Sequence, residues 1–218
     1  MTRLRLIALA VAAATLTGCT SAPAAAPAST NSPSASPTPV AAAEEEDAAI
    51  PESIVIGPTG FEVQDESGDV LLAASYEDPL ADVLAGLEAT LGAPPVEGMD
   101  EGHTERPPYR TFAWEGFRIG EAGEPSSIAF DVLATGDATG GVEVTTPEGI
   151  AIGADAATLE ATYPVGFESY PDFTIARGPA VVVDTSRDPA RTLSVAVWID
   201  APATTVTRMA APVDSWGP

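Results

Sequence analysis

GFEVQDESG at residues 60–68 returns as GVEVTTPEG at residues 141–149, with Gly, Glu, Val and Gly in matching places. A second pair follows in the same order, LEATLGAP at 87–94 and LEATYPVG at 159–166. The second match is nine residues out of step with the first, which gives the first copy a longer approach to its helix. Ordered self-similarity is the mark of a supersecondary unit used more than once. The expectation is a tandem duplication, with repeat one at about 54–135 and repeat two at about 141–209.

Working outward, each copy reads as a strand, a helix, a long loop and two strands. In the first copy Asp78 is a helix-capping residue and Pro79 suits the first helical position. Leu80, Val83, Leu84, Leu87 and Leu91 follow at helical spacing, and Gly92 with Pro94-Pro95 ends the run. In the second copy Asp155 caps a shorter helix carrying Leu159, which ends before Pro164. Strand alternation is clear in SIAFDV (Ile128, Phe130, Val132) and in RTLSVAVWID (Leu193, Val195, Val197, Ile199). Val181 and Val183 mark another strand, and TFAWEGF sets Phe112 and Trp114 on one face before Gly116. The fold class expected over 50–218 is α+β: an antiparallel sheet with one helix per half covering one face. Helix–loop–hairpin repeats of this sort are loosely similar to modules of secreted β-lactamase inhibitor proteins and outer-membrane assembly lipoproteins.

Upstream of this domain, Arg3 and Arg5 precede an apolar segment from Leu6 to Ala14. That segment is far short of the roughly 20 residues that span a bilayer, so 1–18 reads as a signal peptide. It ends in Leu16-Thr17-Gly18-Cys19, which resembles the lipobox of bacterial lipoproteins. Small residues before the cysteine admit the site to a peptidase, and only sulfur takes the diacylglyceryl group as a thioether. The resemblance implies cleavage between Gly18 and Cys19 and lipidation of Cys19, with acyl chains that anchor the chain to the membrane. As the only cysteine, Cys19 excludes an internal disulfide, a CxxC redox pair and a cysteine-rich zinc site.

Residues 19–49 then form a tether. From Thr20 to Val40 the chain is almost wholly Ala, Pro, Ser and Thr, and Glu44-Glu45-Glu46-Asp47 extends it. Such a composition lacks the apolar bulk that offsets ordering entropy, so disorder is expected. The combination of lipobox, Ala/Pro/Ser/Thr tether and the VEVTTPEGIAIG lead-in to the second helix resembles the uncharacterised lipoproteins of actinobacteria. That resemblance implies surface exposure at the outer face of the cytoplasmic membrane and carries no activity with it.

Loss of residues 1–18 removes two arginines and no acid, leaving 7 basic against 32 acidic residues, a net charge of −25. Nucleic-acid binding, which rests on cationic neutralisation of phosphate, is excluded as an expectation. The absence of lysine removes Schiff-base, P-loop and Ser-x-x-Lys chemistry, and a single histidine removes the His-Glu-x-x-His zinc motif. No Gly-x-Ser-x-Gly elbow is present. DESGD at 65–69 alternates acids without the calcium-loop spacing, so it reads as an acidic turn between two strands. No catalytic residue, metal site or cofactor is assigned.

Two loops are candidate contact surfaces. YPVGFESYPDF (163–173) carries Tyr163, Phe167, Tyr170 and Phe173, aromatics rimmed by acids that suit a sugar ring or a protein partner. PPVEGMDEGHTERPPYR (94–110) occupies the matching place in repeat one and carries Asp100, His103 and Glu105. The function expected is that of a lipid-anchored, surface-exposed, non-enzymatic binding or accessory protein, whose partner is an envelope protein or cell-wall component. The alternatives are a small-ligand or calcium-binding lipoprotein serving transport, and a cell-wall hydrolase using paired carboxylates.

Overall fold

Side chains alternate along Pro51–Ile56 (β1): Ile54 and Ile56 are buried, while Ser53 and Val55 stay half-exposed on the opposite face. Gly57 N donates to Gly60 O across a tight turn, and the chain returns antiparallel as β2 (Gly60–Asp65). Asp65 Oδ1 then accepts from Ser67 N and Asp69 N, which shapes the acidic turn into β3 (Val70–Ser75). A computed structural model describes residues 49–102, 107–123, 127–186 and 190–215, all within one compact unit.

Leu80–Leu91 (α1) buries Val83 and Leu87, with Leu80, Leu84 and Leu91 packed partly against the same core. Gly92 ends the helix with φ 69°, a left-handed value that glycine adopts freely, and its N–H bonds Glu88 O. The start of α1 corrects the expectation. Pro79 occupies the cap position, and Asp78 Oδ2 accepts from Ser75 N at 2.8 Å, closing the turn before the helix.

The stretch expected as a long loop after α1 holds a strand. Val96–Asp100 (β4) pairs with β5 (Tyr109–Trp114) from Val96↔Ala113 to Asp100↔Tyr109. A two-residue link, Glu115-Gly116, joins β5 to β6 (Phe117–Glu121), and β7 (Phe130–Ala134) lies beside it. A short β8 (Glu143–Thr145) precedes α2 (Ala156–Thr162), whose cap Asp155 accepts from Thr158 N at 2.8 Å as expected. The chain closes with β9 (Glu168–Ser169), β10 (Phe173–Arg177), β11 (Val181–Asp184), β12 (Arg191–Asp200) and β13 (Arg208–Ser215).

The class is α+β as expected, and the strands form two sheets, a number the sequence left open. One has the order β3-β2-β1-β8; the other runs β4-β5-β6-β7-β13-β12-β10-β9, with β11 paired beside β12. One pairing, β1 with β8, is parallel. The reason lies in area. Helices of 12 and 7 residues are too small to cover sheets of this size, so the sheets bury their inner faces against each other. Phe61 of β2 meets Phe117 of β6 edge-on at 5.7 Å and Phe130 of β7 at 6.3 Å. Each buried aromatic contributes about 1.5–3 kcal/mol through burial, and edge-to-face contact adds about 0.5–1.5 kcal/mol. Leu193, Val195, Val197 and Ile199 are buried as expected, whereas Val181 and Val183 of β11 stay exposed. Polar groups drawn into this core are satisfied. Tyr76 OH donates to Gly57 O at 3.0 Å, and Trp114 Nε1 donates to Ala93 O at 2.8 Å.

Candidate functional site

The alternation that buries Ile54, Ile56, Phe61, Val63 and Val144 sends their neighbours to the far side of the four-stranded sheet. Ser53 and Val55 of β1, Glu62 and Gln64 of β2, Ala73 and Ser75 of β3, and Glu143 and Thr145 of β8 line one groove there, of about 920 Å³. Neither α1 nor α2 contributes to its lining. Small side chains set its depth. At Gly60 the backbones of β2 and β3 approach so closely that a Cβ would lie 2.1 Å from Ala74 O.

Two turns wall the groove, at 57–60 and at 146–149. The second is held from beneath by Tyr163, the residue that ends α2. Tyr163 OH lies 2.8 Å from buried Thr146 Oγ1 and donates to Glu148 Oε2 at 2.6 Å. Gly149 turns the chain with φ 79°, and Thr146 N donates to Ile150 O. Burial pushes the Tyr163 phenol well above its ordinary pKa, and its bond to Glu148 pushes the same way, so it stays a neutral donor.

Charge is sorted between the sheets. The described arginines, Arg110, Arg118, Arg177, Arg191 and Arg208, all sit on the larger sheet, and each bridges to a carboxylate. The charged residues lining the groove are Glu62, Asp78 and Glu143, all acidic. With the hydroxyls of Ser53, Thr59, Ser75 and Thr145 and the amide of Gln64, this face can hold and orient a ligand through hydrogen bonds and charge. Among the described residues no group of three or more His, Cys, Asp or Glu is arranged to hold a metal ion.

The aromatic loop is divided by the fold. Tyr163 is buried, Phe167 packs partly against the core, and half-buried Phe173 stacks at 4.8 Å on Tyr170, the one exposed ring of the four. Tyr170 OH donates to Glu168, which raises the phenol's pKa, and Glu168 also pairs with Arg177 at 3.4 Å. The four rings therefore do not form one contact surface, because Tyr163, at the end of α2, is buried against Thr146. Asp100 ends β4, accepting from Tyr109 OH at 2.9 Å and bridging Arg118 at 3.4 Å. His103, Glu105, Gly18 and Cys19 lie outside the described residues.

The groove was missed as a site in sequence, although its signal was present. Ser53, Val55, Glu62 and Gln64 are the outward half of the same alternation that marks the core. No protein-family model matches the chain, and comparison with curated proteins and with solved structures returns no match.

Proposed function

We propose that this chain is a lipid-anchored, non-enzymatic binding or accessory protein of the cell envelope, carried on a tether from Cys19. It would stand at the outer face of the cytoplasmic membrane and take its partner on the outer face of the four-stranded sheet. The observation that carries this reading is that face: a groove of small and polar side chains left uncovered by either helix. A sheet face of this kind in a domain of this size presents area for a partner without enclosing a reaction. The order of the larger sheet also supports a tandem duplication. After α1 come β4-β5-β6-β7; after α2 come β9, β10, β12 and β13 in mirror order about the β7–β13 pair, with β11 an additional strand beside β12.

The test is photo-crosslinking on intact cells from a photoreactive residue at Thr145, with Cys19→Ala as the control. One dominant adduct that disappears in the control is expected. Adducts no more abundant than those from exposed Ala85 on α1 would overturn the reading.

A further inference from the structure

We infer that the groove takes an extended, basic polypeptide segment; the inference rests on the binding reading above and specifies its partner. The argument begins with charge. The sequence between 49 and 102 contains no arginine or lysine, and neither does β8, so the four-stranded sheet contributes only acidic charge. The larger sheet, by contrast, neutralises its described arginines internally. The field over the groove is therefore negative and favours a cationic occupant.

The spacing of the carboxylates then selects a polymer. Val55 is opposite Glu62 on one side, and Ser53 is opposite Glu143 on the other. The two glutamates thus stand two strands apart and offset by two residues, about 12 Å between Cα atoms at ordinary sheet spacings. In an extended chain, residues four apart are separated by about 13 Å and point to the same side. Two basic side chains four apart would span Glu62 and Glu143 while the residue midway between them crosses β1 between Ser53 and Val55. Ser53 and Thr145, on the same floor, offer partners for peptide groups, as does the amide oxygen of Gln64, whose Nε2 donates to Glu62 Oε2 at 2.9 Å. An inorganic ion gains no cage here, since no three-ligand cluster exists among the described residues.

The probe is a fluorescein-labelled Ser-Lys-Ser-Val-Ser-Lys-Ser peptide, titrated with the mature lipidated chain in detergent and followed by anisotropy. Binding is expected to weaken at least tenfold in Glu62→Gln/Glu143→Gln, and at least tenfold between 50 and 300 mM salt. The Gln-for-Lys peptide should not bind. Asp82→Asn/Glu88→Gln makes the same change in net charge on exposed α1 and should leave binding within twofold. Absent binding, binding that ignores Glu62 and Glu143, or equal loss in the α1 variant overturns the proposal. Spermine displacing the peptide at equal charge concentration overturns the choice of a polypeptide. If the peptide fails while Thr145 still crosslinks a partner on cells, the binding reading stands and this inference falls. If both fail, both fall.

Discussion

Replacing Tyr163 by Phe removes a single oxygen and leaves the ring, which isolates the hydroxyl that clamps the groove wall. That hydroxyl donates to Glu148 Oε2 at 2.6 Å, which leaves it to accept from Thr146 Oγ1 at 2.8 Å. Thr146 Oγ1 already accepts from Ile150 N at 3.3 Å and is 1% exposed, so its proton has no second outlet once the phenol oxygen is gone. The neutral bond is worth about 1 kcal/mol and stranding a buried donor costs about 1–3 kcal/mol. Glu148 is exposed and regains water, so its share is small. Tyr163→Phe should therefore destabilise the protein by about 1–3 kcal/mol. Urea unfolding measures this as a lower midpoint at unchanged m-value. A double-mutant cycle with Glu148→Gln should return a coupling of about 0.5–1 kcal/mol. A loss below about 0.5 kcal/mol, with no coupling, would refute the clamp and leave the 146–149 turn held by its backbone alone.

Three further outcomes are expected. Gly116→Ala would place a Cβ 2.5 Å from the Gly136 backbone, so a loss of more than about 2 kcal/mol should appear in the same unfolding assay. Stability should fall above about pH 10. Tyr76 and Tyr163 have pKa values raised in the fold, chiefly by burial, whereas in the unfolded chain they ionise near the ordinary value. Their contribution is complete below the unfolded pKa and is lost as pH rises above it, with buried Tyr76 alone adding up to about 1.4 kcal/mol per pH unit to the decline. Asp155→Ala should lower the melting temperature at pH 7 and matter less in acid. Bonds from Thr158 hold the carboxyl below its ordinary pKa, so its stabilisation is present above the unfolded value and lost as pH falls through the folded one.

The sequence was most legible where one residue type has one physical use. Gly92 terminates α1, Asp155 caps α2, and Leu87 and Leu159 are buried at the places their spacing assigned. It was least legible where tertiary pairing supplies what local pattern lacks. Val96–Asp100 exposes four of its five residues, so nothing in VEGMD alternates, and only pairing with β5 makes it a strand. Asp78 satisfies Ser75 N and not a helix N–H, a choice between two nearby donors that spacing cannot rank. The division of the aromatic loop had the same origin. Tyr163 and Tyr170 are equally amphipathic in sequence, and the fold buries the first against Thr146 while leaving the second exposed between β9 and β10.

The place of β1 in its sheet bears on mechanics. The segment that would join the domain to its anchor enters directly at Pro51, the first residue of a strand bonded on one side to β2 and on the other to β8. A pull in line with β1 loads both ladders in shear, so their hydrogen bonds share the tension and must fail together. An edge strand such as β3, pulled across its axis, would instead unzip one bond at a time. Force arriving at Pro51 from the preceding segment would therefore meet the domain at an interior strand, and the two strands carrying Glu62 and Glu143 would resist it.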